Sequence, residues 1–232
     1  MKYMGSKRRI SKNILPIILK NKSDEQNYVE PFCGGCNTID KVTGNRIAND
    51  INYYLIELWK ALVNDNWIPP NMVTEQEYND IKNFKGNYPP ELVGFVGIVM
   101  SFGSKWFGGY SRNKRGTNYA IEGRDNLVKQ IGLLNGVEFY SGNYDEFFIP
   151  PNSIIYCDPP YYKTTGYKIK FDHEKFWERC IQKVKEEHQV FISEYEAPSD
   201  FVSIWEQTLK SNMEAVNMKT SIEKLFVHKS QL

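Results

Sequence analysis

Ser153-Ile154-Ile155-Tyr156-Cys157-Asp158-Pro159-Pro160-Tyr161 is an apolar run that stops on a carboxylate, two prolines and an aromatic ring. The short β-prone stretch Ser153 to Cys157 follows the turn-like Pro150-Pro151-Asn152 and reads as a buried strand. Neither proline can donate to a sheet ladder, so the strand must end at Asp158. In an α/β sheet the carboxyl end of a strand is where ligands sit. This tip offers a carboxylate, a proline carbonyl that no ladder uses, and the ring of Tyr161. The set suits a planar heterocycle with an exocyclic amino group: the ring stacks on Tyr161 while Asp158 and the Pro159 carbonyl take the amino hydrogens. The plainer alternative is a strand-ending turn that Pro160 and its neighbour merely stiffen.

A second stretch shifts the balance. Tyr28-Val29-Glu30-Pro31-Phe32-Cys33-Gly34-Gly35 reads as a strand that ends in an acid and opens into a Gly-Gly turn, with a helix expected from Cys36 to Val42. Glycines there let backbone approach a ligand with no Cβ in the way. The stretch is not the phosphate-binding G-x-G-x-x-G pattern, and the Glu30 carboxylate would repel a pyrophosphate. Arg46-Ile47-Ala48-Asn49-Asp50 reads as a further strand ending in an acid. It lies about 20 residues on, the spacing at which an acid commonly takes a ribose hydroxyl. Each acid alone fits a helix N-cap; the three in this order fit a ligand site better.

With these motifs the chain resembles the Dam-type adenine-N6 DNA methyltransferases that use S-adenosylmethionine. Four stretches carry the resemblance: Tyr3-Met4-Gly5-Ser6-Lys7, Val29 to Gly35, Asn49-Asp50-Ile51-Asn52, and Asp158-Pro159-Pro160-Tyr161-Tyr162. It is weakest over residues 65–135 and after 195. It implies a class I methyltransferase fold, α/β and Rossmann-like, with helices on both faces of a mainly parallel sheet and an antiparallel closing strand. The implied cofactor contacts are Tyr3, Lys7, Glu30, Pro31, Phe32, Gly34, Gly35, Asp50, Ile51, Asn143, Tyr144 and Asp158. The implied catalytic set is Asp158, Pro159, Pro160 and Tyr161. One departure is Ser141-Gly142-Asn143-Tyr144: relatives often carry an acid at the position of Asn143, where an amide can still accept and donate.

Composition fits that reading without demanding it. At 232 residues, 41% hydrophobic and 14% aromatic, the chain can bury one sizeable core. No stretch approaches the apolar length of a membrane span, and the first residues do not open a signal peptide, so a cytoplasmic protein is expected. The formal charge of +1 decides nothing about DNA, which needs only a local basic face. Cys33-Gly34-Gly35-Cys36 is formally C-x-x-C, yet Cys157 and Cys180 supply no closely spaced second pair for zinc. Reduced thiols and no metal are expected.

Strand and helix patterns alternate in residues 1–64 and 136–232, which are expected to form the catalytic domain. Residues 65–135 break the alternation and are expected to be an inserted, mostly helical target-recognition region, with helices over residues 74–84 and 91–100. Residues 101–118 then turn glycine-rich, aromatic and basic. Lys105, Trp106, Tyr110, Arg112, Lys114 and Arg115 are the expected contacts to double-stranded DNA, since cations take phosphates and aromatics wedge or stack. The plainer alternative is a satellite hydrophobic cluster beneath a long loop.

Under the implied activity the amino group must leave the duplex to reach the methyl donor, so the base is expected to be flipped out. Three rivals stand beside it. Cytosine-N4 methylation uses a similar nitrogen, although relatives acting on cytosine more often carry Ser where Asp158 stands. A non-catalytic DNA-binding protein could keep the fold. A nicotinamide oxidoreductase would need a phosphate-cradling turn where this chain places Glu30-Pro31-Phe32. A monomer is expected, and the aromatic loop resembles that of some phage-encoded relatives. Target sequence and biological role (restriction-modification, protection or regulation) are not legible.

Overall fold

A computed structural model describes residues 1–162, 171–210 and 220–232. Among the described residues seven strands form one sheet: β1 (Tyr28–Glu30), β2 (Arg46–Asp50), β3 (Val137–Ser141), β4 (Ile154–Cys157), β5 (Gln189–Glu194), β6 (Phe201–Lys210) and β7 (Thr220–His228). Their order is β3-β2-β1-β4-β5-β7-β6. Strands β1 to β5 are mutually parallel, and β7 runs antiparallel to both β5 and β6. This is the mainly parallel sheet with an antiparallel closing element that the sequence leads one to expect. Chain order reverses between β1 and β4, which opens the crevice at their carboxyl ends.

Successive residues of the strands feed two different cores, as a pleated period of two requires. Tyr28, Ala48, Ile154, Tyr156 and Phe191 face one side and Val29, Ile47, Ile155, Val190 and Ile192 the other. Register keeps each set together: Val29 lies opposite Ile47 and Ile155, and Tyr28 opposite Ile154. The first side is covered by α1 (Ser11–Ile18), α2 (Tyr53–Val63), α3 (Glu75–Asn83), α4 (Pro90–Val99) and α5 (Tyr119–Ile131). The second takes α6 (His173–Lys185), whose Phe176 and Cys180 are buried against the sheet. Local chemistry sets where helices begin: Asn52 caps α2, Asn118 caps α5, Asp172 caps α6, and Thr74 with Glu77 forms a reciprocal capping box at α3.

Two sequence expectations change. No α-helix spans Cys36 to Val42; that segment holds only a short 3-10 turn at Ile39–Lys41. Cys36 has φ +52°, left-handed backbone that a helix interior does not tolerate, and Thr38 makes no capping bond. Over residues 6–20 the spacing of Ile10, Ile14, Ile17 and Ile18 predicts a helix that Pro16 would bend or shorten; the structure holds a 3-10 turn (Lys7–Arg9) and then the shorter α1, with Pro16 inside it. The helix α5 was not anticipated.

Residues 65–135 do not stand apart from the sheet. Val73, Tyr78, Phe95, Phe107 and Leu127 share one core cluster with Tyr28 and Tyr156. The aromatic loop is divided by this packing. Phe107 is buried, Trp106 stacks on Tyr54 at 5.9 Å and 20°, and the Tyr110 hydroxyl donates to the Val73 carbonyl at 2.7 Å. Gly97 makes room for this: a Cβ there would lie 2.4 Å from Trp106. Phe102, by contrast, is 73% exposed. Trp106→Ala should therefore lower unfolding stability by about 3 kcal/mol, whereas Phe102→Ala should leave it within about 0.5 kcal/mol; urea titration of both variants measures this.

Candidate active site

The acids sit together because parallel strands end together. Glu30 ends β1, Asp50 ends β2, Glu194 ends β5 and Asp158 directly follows β4, so four adjacent strands bring carboxyl groups to one edge of the sheet. Each group is desolvated there and must find partners. Glu30 is buried, accepts from the Tyr28 hydroxyl at 2.9 Å, and burial pushes its carboxyl well above the usual range. It is turned into the core below the edge.

The Gly-Gly turn is held to β2 by backbone and side chain. The Cys33 amide donates to the Asn49 carbonyl at 2.8 Å, and the Gly34 amide donates to Asp50 Oδ2 at 3.0 Å. Asp50 Oδ1 accepts from the Asn52 amide at 2.9 Å. Burial raises the Asp50 carboxyl and these two amides oppose the rise. Each of its oxygens keeps a lone pair for a further donor. The next residue, Ile51, is 60% exposed. Tyr3 lies over the turn: a Cβ at Gly34 would come 2.6 Å from its Cε1, and one at Gly35 2.7 Å from its Cβ. Only glycines let the N-terminal segment lie this close.

Opposite Asp50, the Gly142 amide donates to the Asp50 carbonyl at 3.2 Å, which sets the turn carrying Asn143 and Tyr144. Tyr144 packs on Phe32 with centroids 5.1 Å apart. Asn49, fully buried, donates to the carbonyls of Pro31 (3.0 Å) and Gly142 (3.1 Å) and so ties the two turns. It belongs to the quoted Asn49-Asp50 stretch, but nothing in its own residue type separated it from an ordinary strand position.

At β4 the Asp158 carboxylate meets Lys7. Lys7 Nζ lies 2.9 Å from Asp158 Oδ1, 3.8 Å from Glu223 Oε2 and 3.2 Å from the Gly5 carbonyl. It also stands 4.3 Å over the Tyr161 ring. Burial pushes the Asp158 carboxyl up to about 6, against the pull of Lys7 and with a further push from Glu223. Burial works against the Lys7 ammonium too, yet the charges of Asp158 and Glu223 hold its pKa above the ordinary lysine value. The Tyr161 hydroxyl donates to Glu223 Oε2 at 2.7 Å and its ring meets Tyr195 edge to face at 4.6 Å. Pro159 is buried and Pro160 half-buried. Glu194 accepts from the amides of Tyr162 (2.7 Å) and Tyr195 (2.6 Å), which fixes the backbone after the two prolines.

Sequence reasoning missed Glu194 and Glu223. Glu194 had a readable signal, an apolar strand ending in an acid like the other three. Glu223 had none, because only the pairing of β7 with β5 and β6 brings it to the edge. Of the basic loop, Lys105, Arg112, Lys114 and Arg115 are at least partly exposed, Arg112 pairing with Glu75 at 3.0 Å. Cys33, Cys36, Cys157 and Cys180 are buried free thiols.

Residues 3–95 match the family model of the D12 class N6 adenine-specific DNA methyltransferases. The resemblance read from the sequence is borne out over that stretch, which holds Tyr3, Lys7, Glu30 to Gly35 and Asp50, while Asp158 to Tyr161 lies beyond it. The chain is 24% identical over 211 residues to the type II methyltransferase M.FokI of Planomicrobium okeanokoites. That alignment covers 80% of this chain and 32% of the relative, so the chain spans about a third of that protein's length. Among solved structures, SMU.472, a putative methyltransferase complexed with SAH, aligns at TM-score 0.40 and 13% identity, covering 98% of this chain and 54% of the other. The putative methylase HI0767 from Haemophilus influenzae aligns at TM-score 0.37 and 8% identity, covering 95% and 88%.

Replacing Asn49 by Leu removes the donor to two buried carbonyls and should cost about 1–3 kcal/mol of unfolding stability. Hydrogen exchange at the Gly34 and Gly142 amides, which bond Asp50, should rise in the same variant, which distinguishes loosened turns from a general loss.

Proposed function

We propose that the chain transfers a methyl group from S-adenosylmethionine to N6 of an adenine flipped out of DNA. The observation that carries this reading is the adjacency of two motifs: Asp158-Pro159-Pro160-Tyr161 follows β4, and the Gly34-Gly35 turn follows β1, the strand hydrogen-bonded beside it. The family match over residues 3–95 supports it independently.

The residues fit the cofactor by their chemistry. Asp50 retains acceptor capacity for a ribose diol, Ile51 and Tyr144 offer apolar faces to a purine, and the glycine turn leaves close access to backbone. Tyr3 and Asn143 complete that side. When bound, S-adenosylmethionine supplies an electrophilic methyl carbon on a sulfonium sulfur. Everything else falls to the chain. The amino lone pair of adenine is delocalised into its ring and nucleophilic only weakly. Asp158 and the Pro159 carbonyl accept the two amino hydrogens and favour a pyramidal nitrogen whose lone pair faces the methyl carbon. Asp158 also stabilises the positive charge that develops on N6. The proton becomes acidic only after transfer, so no strong base is needed beforehand. Tyr161 supplies the stacking surface.

Residues 65–135 are read as the target-recognition region, with Lys105, Arg112, Lys114 and Arg115 on phosphates or base edges. Phe102 is its exposed aromatic and the better wedge, since Trp106 and Tyr110 are committed to packing.

The decisive experiment incubates the protein with labelled cofactor and DNA, then identifies the modified base after digestion to nucleosides; N6-methyladenine is expected, and N4-methylcytosine or no product rejects the reading. Asp158→Ala should lower turnover by at least about 10³-fold in a folded protein. Asp158 must be ionised to accept the amine, and its carboxyl stands near 6, so the wild-type rate should fall as pH drops through that value and level off above it. Arg112→Ala with Arg115→Ala should weaken DNA binding uniformly across sequences and reduce the salt slope by about 1 for each phosphate no longer neutralised.

A further inference from the structure

The buried ammonium at the strand tip stands where, on the reading above, the target's amino group must go. An N6 hydrogen-bonded to Asp158 would lie about 2.9 Å from a carboxylate oxygen, with its ring against Tyr161. Lys7 Nζ already lies 2.9 Å from Asp158 Oδ1 and 4.3 Å over the Tyr161 ring. An amine seated on Oδ1, with its ring against the face of Tyr161 that the ammonium covers, would take the ammonium's place. A buried ammonium cannot simply be pushed off its counter-charge, because an uncompensated charge in such a place is costly.

The structure supplies a second acid for it. Glu223 Oε2 is 3.8 Å from the same Nζ, about 1 Å beyond a charge-assisted hydrogen bond. Glu223 reaches the site from β7, is buried, and is fixed by the Tyr161 hydroxyl at 2.7 Å. We propose that Lys7 is a place-holder for the target's exocyclic amine and that Glu223 is the positioning residue that takes the ammonium over when a base enters. Asp158 is then free to accept the amine, and the ammonium keeps a partner throughout. This rests on the reading of Asp158 to Tyr161 as the base site, and adds to it a role for an acid on the closing strand. The other titratable groups facing the cluster are Glu30 on β1, Tyr156 on β4, Tyr161, and Glu194 and Tyr195 at the end of β5. Among the described residues, Asp158 and Glu223 are the two that place a carboxylate oxygen within 4 Å of the Lys7 ammonium.

The test compares the wild type with Glu223→Gln, which keeps shape and loses charge, and with Glu223→Asp, which keeps charge. In Glu223→Gln the ammonium keeps Asp158 as its one carboxylate among the described residues, so KM for DNA should rise by roughly tenfold or more while cofactor affinity stays as in the wild type. With the neighbouring negative charge gone, the acid limb of the rate profile should move down by about one pH unit. Carboxyl-carbon NMR titration of Asp158 in DNA-free protein should show the same downward move without any turnover. Glu223→Asp should restore most of both. A wild type that methylates adenine beside a Glu223→Gln variant with unchanged KM and unchanged Asp158 titration overturns the inference alone. Cofactor affinity falling in step with KM overturns it as well, since that marks a merely structural role. A wild type that transfers no methyl group to adenine overturns the reading of the site, and the place-holder falls with it.

Discussion

An ion pair between Lys7 and Asp158 fixes the path of the N-terminal segment, and much of the site follows from that path. Because the ammonium must sit on the β4 tip, the residues before it run along the carboxyl edge of the sheet. Tyr3 then lies on Gly34 and Gly35, which is why those positions have no room for a Cβ. Lys7 is buried and Asp158 half-buried, so the value of the pair lies in specifying position more than in adding stability. Its cost is reduced by the carbonyl of Gly5, the Tyr161 ring and Glu223, each of which lies close to the same ammonium.

Desolvated acids along one sheet edge create a problem that the fold answers differently at each strand. Glu30 shares a hydrogen bond with Tyr28 and turns inward. Asp50 is met by two backbone amides from turns it helps to shape. Glu194 takes the amides of Tyr162 and Tyr195. Asp158 is answered by a lysine, whose long side chain can swing about several torsions while a backbone amide cannot. A partner that can move is what a site needs if that carboxylate is to exchange one donor for another.

Most of the frame was legible because strand tips announce themselves. An apolar run ending in Asp158-Pro159-Pro160, and two others ending in Glu30 and Asp50, define both the sheet and its working edge. What failed was local: the expected helix after Gly35 is prevented by the left-handed backbone of Cys36, a conformation that its residue type does not advertise. Trp106 and Tyr110 read as DNA-facing aromatics because glycines and cations flank them, yet Gly97 and Val73, elsewhere along the chain, hold them half-buried against the core. Lys7 is expected by resemblance as a cofactor contact, and its ammonium pairs with Asp158, another of the expected contacts. Glu223 depends on the register of β7 against β5 and β6, which no single stretch encodes.

The charged cluster joins residue 7 to residue 223, so a long run of polypeptide separates two groups that meet around one ammonium. On a ribosome the lysine emerges early and its second acid much later. A nascent chain that has completed the glycine turn and even the β4 tip still lacks the strand that carries Glu223 and anchors the Tyr161 hydroxyl. Pairings between such distant parts of a sequence form late and slowly. Synthesis therefore delivers the parts of the site long before it delivers a finished one.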